Sequence, residues 1–199
     1  MLVIYEWTDP YRLRSDLWMR ELDGSERQLT HDARLFAPDA RSSDNAIVAV
    51  QNVAGTTRLV RVSADGHAQP LTTANLDTTW SAPRWSHDGA RLAATRWVRG
   101  GTMSIVVLDS AGRSPRVLAS ARATVDDPAW SADDQSLLFS VNGTGTAGIW
   151  SVNVGTGALT AVASGVTSLD SPQPAGNGML MVVPSAVPPP VSATEPVPG

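Results

Sequence analysis

The chain has 199 residues, 42% of them apolar and 17% charged, with a formal net charge of -4. Such a composition excludes a disordered or collagen-like chain, and the lack of cysteine excludes a disulfide scaffold or a cysteine-built metal centre. All fifteen basic residues are arginine and none are clustered, which with the acidic balance argues against a nucleic-acid surface.

In chain order, the N-terminus MLVIYEWTDPYRLRSD lacks the basic region, long apolar region and small-residue cleavage site of a signal peptide. It reads instead as a strand from the middle of a repeat, Leu2 to Trp7, followed by DLWMREL, the turn LDGS and RQLT. The next unit runs FAPDARSSDNAIVAV, RLVRVS, SADG and QPLT. The clearest unit follows: a Pro-x-Trp-Ser segment, an Asp88-Gly89 pair read as a two-residue hairpin turn, the alternating run RLAATRW, then SIVVLDS, DSAG and RVLAS. It returns as DPAWSADDQSLLFS, GIWSVNV, VGTG and LTAVAS, and in decayed form as SPQPAGNGMLMVV. The tail PSAVPPPVSATEPVPG is Pro-rich without apolar periodicity and reads as an extended linker or disordered end. No apolar run approaches the roughly 20 residues of a membrane-spanning helix.

The units keep a period. Pro38, Pro83 and Pro128 are 45 residues apart and Pro172 follows 44 later, while Leu2, Ile47, Leu92 and Leu137 keep the spacing of 45. A β-sandwich also has short strands at regular spacing, but it does not require them to repeat in fours with fixed residue types. The period fits a four-stranded propeller blade. The expected fold is therefore all-β: a β-propeller of four-stranded antiparallel blades, as an arc of about four blades. The boundaries are a partial blade at 1–30, blades at 35–72, 81–119 and 126–163, a partial blade at 170–183, and the tail at 184–199.

PRWSHDGARLAA and DPAWSADDQSLLFS resemble the TolB-type propeller repeat, whose pattern runs Pro-x-Trp-Ser-Pro-Asp-Gly-lysine before a β-run. His87 stands here for the second proline and Ala90 for the lysine. The resemblance covers roughly residues 1–183. It implies a complete propeller of six to eight blades, a bacterial cell-envelope setting (periplasmic or otherwise extracytoplasmic) and a non-catalytic role in binding proteins or peptides. The same blade serves the substrate-gating propellers of prolyl-oligopeptidase-type enzymes, so a gating domain whose catalytic partner lies outside this chain is the alternative.

The recurring residues have structural explanations. Trp85 and Trp130 take equivalent places on the innermost strands, where a large ring packs between sheets, and Trp18 and Trp150 share a third-strand position expected in the same core. Asp88 and Asp133 fall in first hairpin turns, where Asp caps its own backbone. His31, His67 and His87 come from different parts of successive units, so a three-histidine metal site is not expected. No calcium-loop pattern and no G-x-S-x-G elbow occurs. NGTGTAG lies between strands rather than opening a helix, and reads as a flexible hairpin loop.

Function is left to the loops. Those joining the fourth strand to the next first strand, and the second to the third, share one propeller face. That face is expected to expose Trp80, Trp97, Arg96, Arg99, Asp126 and Asp127, with the Asp126-Asp127 pair in a turn, as candidate binding residues. No catalytic residue, metal or cofactor is assigned. The expected partner is a protein or peptide, with no nucleic acid, no membrane insertion by this segment, and self-association through open blade edges.

Overall fold

The computed structural model describes residues 2–9, 14–21, 23–41, 43–143, 146–165, 168–175 and 179–185. These form seventeen strands and no helix. Sheet 1 holds β1 (Leu2–Asp9), β2 (Arg14–Arg20) and β3 (Glu26–Gln28). Sheet 2 holds β4 (Leu35–Ala40), β5 (Ile47–Val53), β6 (Thr56–Val62) and β7 (Ala68–Pro70). Sheet 3 holds β8 (Thr78–Trp85), β9 (Arg91–Val98), β10 (Met103–Asp109) and β11 (Arg116–Ala121). Sheet 4 holds β12 (Thr124–Trp130), β13 (Ser136–Gly143), β14 (Thr146–Asn153) and β15 (Leu159–Gly165), and sheet 5 holds β16 (Ser168–Ala175) and β17 (Met179–Ser185). Every pairing is antiparallel, and each sheet takes its strands in sequence order. The Pro-rich tail beyond residue 185 lies outside the described residues.

The core is divided among the junctions between successive sheets. Ile47 and Ala49 pack with Leu17, Leu29 and Leu35 toward sheet 1, while Val48 and Val50 pack with Trp80, Trp85 and Leu92 toward sheet 3. Ala93 and Ile105 face the other way, onto Trp130, Leu137 and Phe139 of sheet 4. A middle strand buried on both faces has no use for an apolar–polar alternation, which is why IVAV is a continuous apolar run and why Leu92, Ala93 and Ala94 are all buried in RLAATRW, which the sequence suggested would alternate.

Each first strand carries the same irregularity. Its register with the second strand shifts between Phe36 and Asp39, Ser81 and Arg84, Asp126 and Ala129, and Asp170 and Gln173. The residue before the repeat proline has positive φ in three of them: Ala37 (47°), Ala82 (44°) and Asp127 (53°). The repeating proline therefore marks a β-bulge on the innermost strand, which bends and twists the strand locally.

Two sequence expectations change here. The hairpin at Asp88-Gly89 is not a two-residue turn: β8 ends at Trp85 and β9 starts at Arg91. The Gly89 amide bonds the Ser86 carbonyl (2.9 Å), and Ser86 and Arg91 close the loop. Gly89 does supply the positive φ, 68°, as that place in a bulged hairpin demands. The first strands also begin two or three residues earlier than the repeat proposes, at Thr78, Thr124 and Ser168. Trp80 and the Asp126-Asp127 pair consequently lie in strands, not in loops or turns.

Candidate functional site

The loop face expected from the sequence exists between sheets 3 and 4. The end of β9 (Trp97), the β9–β10 turn (Gly100, Gly101), the connection from β11 to β12 (Ala121, Arg122, Ala123, Thr124) and the end of β13 (Asn142, Gly143) line one groove of about 720 Å³. Gly100 at φ 68° lets the turn close tightly, and Trp97 at its edge is 36% exposed. The β13–β14 hairpin is narrower than NGTGTAG suggests, since strand pairing continues to Gly143 and Thr146.

The other expected face residues divide. Arg99 is exposed, with its Nε 3.4 Å from Asp77 and its Nη2 donating to the Leu76 carbonyl. Trp80 is not exposed: it is 7% accessible and packs against Val48, Val50 and Leu59 of sheet 2. The Thr57 hydroxyl accepts from the Trp80 amide and donates to its carbonyl, pinning β8 to the sheet before it. Arg96 is half-buried, its guanidinium 5.8 Å from the Trp80 ring. Asp126 is half-buried at the inner bulge, where it accepts from the Thr95 hydroxyl (2.9 Å) across the junction. Burial pushes its carboxyl above the usual value, against the Asp127 amide and Thr95, which favour the charged form. Asp127 is the residue before Pro128 in that bulge, half-buried as well. Trp97 and Arg99 are therefore the exposed members of the expected set.

The opposite side of the inner rim carries Asp39, Arg84 and Gln173, which the sequence did not single out. The innermost strands converge there on a pocket of about 240 Å³ lined by Asp39, Arg84, Trp85, His87, Trp130 and Gln173, among others. Asp39 accepts from the Trp85 amide at 2.7 Å; burial raises its pKa, opposed by that hydrogen bond and by the charges of Arg84 and His87. One signal was available: Asp39 and Arg84 sit 45 residues apart, each just after its repeat proline.

Trp85 and Trp130 are buried between sheets, as their repeat position implies. Each is covered by an arginine of the preceding sheet, Arg41 at 4.6 Å from the Trp85 ring and Arg91 at 4.9 Å from the Trp130 ring. Arg41 also donates to the Gly89 carbonyl (3.0 Å) and Arg91 to the Asp134 carbonyl (2.9 Å). Asp134 then completes a latch between the two turns. Its carboxylate, on a side chain only 8% exposed, accepts from the His87 amide (2.9 Å), the His87 Nδ1 (2.8 Å) and the Asp88 amide (2.8 Å). Burial acts to raise its pKa, but those donors prevail and hold it below the usual value. Asp88 and Asp133 cap their own turns: each accepts from the serine two residues earlier and an amide two residues later.

Trp150 departs from its expected core role. It is 36% exposed and lines an apolar crevice of about 200 Å³ with Ala119, Val125, Phe139 and Leu159, at the outer side of the junction between sheets 3 and 4. Trp18, its repeat counterpart, is half-buried. His31 and His67 are exposed, away from His87, and the described residues hold no cluster of three metal-ligating side chains.

No family model and no curated protein matches the chain. Solved structures do. TolB from Acinetobacter baumannii superposes with a TM-score of 0.74 at 15% identity, over 90% of this chain and 46% of that one. A putative TolB from Agrobacterium tumefaciens gives 0.62 at 23% identity, over 77% of this chain and 55% of that one. A puromycin-hydrolyzing peptidase of Mycobacterium tuberculosis gives 0.68 at 15% identity, over 91% of this chain and 34% of that one. The chain thus spans about half the length of the TolB chains it matches. With its four-stranded sheets stacked in sequence order, it carries the β-propeller fold of TolB and of prolyl-oligopeptidase-type propellers.

Proposed function

We propose that the chain is a non-catalytic propeller scaffold that binds a protein or peptide through its loop face, as part of a bacterial cell-envelope protein. In this reading the strands act as one propeller segment, which runs to Ser185 and not to residue 183 as the repeat proposes, and the Pro-rich stretch after them acts as an extended linker or disordered end. The observation that carries the reading is the groove between sheets 3 and 4, with Trp97 half-exposed at its edge and Arg122 on its wall. Trp and Arg are the side chains that most often anchor interfaces, and here Trp97 stands at the end of strand β9 and Arg122 on the loop between β11 and β12. The recurring residues, by contrast, are spent on capping turns and filling junctions.

Peptide-library display against the immobilised chain tests this. Selected peptides should bind at least tenfold more weakly to Trp97→Ala or Arg122→Ala, while Arg20→Ala, on sheet 1, should bind as the wild type does. Equal binding by all variants would remove the groove from the function. The second reading, a gating propeller of a peptidase, is favoured by the fit to the mycobacterial enzyme over nearly the whole chain. A hydrolase domain encoded next to this segment would support it. Turnover of a peptide or ester by the chain itself, abolished by a point mutation within it, would overturn both.

A further inference from the structure

We propose that the cleft beside the β7–β8 connection, between sheets 2 and 3, binds a small hydroxylated monocarboxylate, a hydroxy acid or sugar acid, with Arg96 holding the carboxylate. The cleft measures about 320 Å³, near the lower end of small-molecule sites, and its lining includes Thr72, Thr73, Asn75, Thr78, Trp80 and Arg96. Arg96 is the one charged residue in that lining, and no acid faces it there. Its Nε is buried and has no hydrogen-bond partner among the described residues. A buried N–H on a cation is unfavourable until an acceptor reaches it, and an anion is the acceptor that also answers the charge. A guanidinium meets a carboxylate through two parallel N–H bonds, and Nε–H is a usual member of the pair.

The repeat does not demand this arginine. Gln51 stands 45 residues before it and Val141 45 after, on β5 and β13. Gln51 is satisfied, donating to the Ala33 carbonyl (3.1 Å) and accepting from Arg58 (2.9 Å). Nor does Arg96 match the arginines that seal tryptophans. Arg41 and Arg91 lie 4.6 and 4.9 Å from their rings and each also donates to a carbonyl in the turn of the next sheet. Arg96 stands 5.8 Å from the Trp80 ring, with its Nε unused. The rest of the polar lining is neutral, so it suits hydroxyl groups rather than a second negative charge. Asn75 gives its side-chain oxygen to the Asp77 amide (2.7 Å), which leaves its NH2 as the group it can offer a ligand. The walls are fixed beforehand. The Thr56 hydroxyl is shared between the Asn75 and Thr78 carbonyls (2.8 and 2.7 Å), and Thr57 holds the Trp80 backbone. Nothing in this depends on the groove between sheets 3 and 4.

The probes are glucuronate, its uncharged counterpart glucose, propionate and inorganic phosphate, each titrated into the isotope-labelled chain and followed by nuclear magnetic resonance. Glucuronate should bind saturably and move the Arg96 Nε–H signal, while glucose should bind at least tenfold more weakly. Arg96→Gln should weaken glucuronate binding at least tenfold with an unchanged far-ultraviolet spectrum, and Arg96→Lys should lose less. Arg20→Gln, which removes the same charge from sheet 1, should bind as the wild type does. Thr73→Val and Thr78→Val should each weaken glucuronate at least threefold and leave propionate, which has no hydroxyl, unchanged. An Arg96 signal that does not move, glucose bound as tightly as glucuronate, or full binding by folded Arg96→Gln would each overturn the proposal. Should Arg96→Gln fail to fold, the wild-type signal and the glucose titration decide it. Phosphate bound more tightly than glucuronate, or threonine variants that bind glucuronate undiminished, would overturn the assignment to a hydroxylated carboxylate.

Discussion

The junction between sheets 2 and 3 and the junction between sheets 3 and 4 are built from the same repeat, yet they close differently. On the inner side both bury a tryptophan under an arginine. At the first, Arg41 precedes its turn and Asp39 holds the Trp85 backbone; at the second, Arg91 follows its turn and Asp134 binds the neighbouring turn. The Trp130 indole donates to the Arg84 carbonyl at 3.1 Å, whereas the Trp85 indole nitrogen is buried without an acceptor. On the outer side the contrast sharpens. Gly112 sits so close to Leu71 that an added Cβ would lie 2.6 Å from its carbonyl oxygen, while an added Cβ at Gly157 would meet nothing within 4 Å. At its rim the first junction holds Gly112 against Leu71 beside a largely polar cleft of about 320 Å³, and the second opens into the apolar Trp150–Leu159 crevice. A repeat thus dictates that a junction forms, and single side chains decide how far it closes.

The largest test of that contrast empties each aromatic site. Trp130→Ala and Trp85→Ala should each cost about 3–5 kcal/mol in chemical denaturation, the usual range for a large buried ring. The phenylalanine variants should then separate the junctions. Trp130→Phe strands the Arg84 carbonyl and should cost about 1–3 kcal/mol more than Trp85→Phe, which removes a donor that already lacks an acceptor. Equal costs would mean the inner contacts are energetically alike.

The outer contrast predicts unequal glycine variants. Gly112 and Gly157 both have φ near 75°, so alanine at either pays about 1–2 kcal/mol for the left-handed backbone. Only Gly112→Ala also pushes into Leu71, adding about 1–3 kcal/mol. Matching melting temperatures for the two variants would contradict the open rim.

Acid titration should separate the junctions by sign. Asp134, with its pKa lowered in the fold, contributes stability that is present above the usual carboxylate value and lost as pH falls through the lowered one. Asp39, with its pKa raised by burial, does the reverse: stability falls as pH rises from the usual value through the raised one. Asp39→Asn should therefore remove a loss of stability that sets in as pH rises above the usual carboxylate value. Asp134→Asn should flatten the acid-side loss, read from denaturation midpoints across pH. Asp88→Ala should have the smallest effect, about 1 kcal/mol, since it gives up turn hydrogen bonds at a partly solvated site.

Much of this architecture was legible in the sequence, and the reason is physical. The proline stands at the bulge in four units and the tryptophan between sheets at the same place in two, Trp85 and Trp130, so those residues recur with the period. Gly89 itself was legible as a turn residue, but its repeat counterpart is Asp134, which adopts φ 55° while its carboxylate caps the turn of the preceding sheet. The latch itself was not legible, because Arg41 and Arg91 do one job from non-equivalent positions and no repeat alignment brings them together. Trp80 was misplaced because the polar run TTANLDTTW resembles a loop, whereas strand β8 begins inside it at Thr78 and turns the ring inward. Trp150 was misplaced because the third-strand position it shares with Trp18 says nothing of how closely the neighbouring sheet covers it.

The sequential order of strands within every sheet also bears on synthesis. Among the described residues no sheet takes a strand from a distant part of the chain, so each of these sheets can close as soon as its own segment has left the ribosome. The nascent chain would then exist as a growing stack. Each finished sheet would present one bare apolar face to the exit tunnel until the next arrives to cover it, and the wait is set by one repeat length of translation.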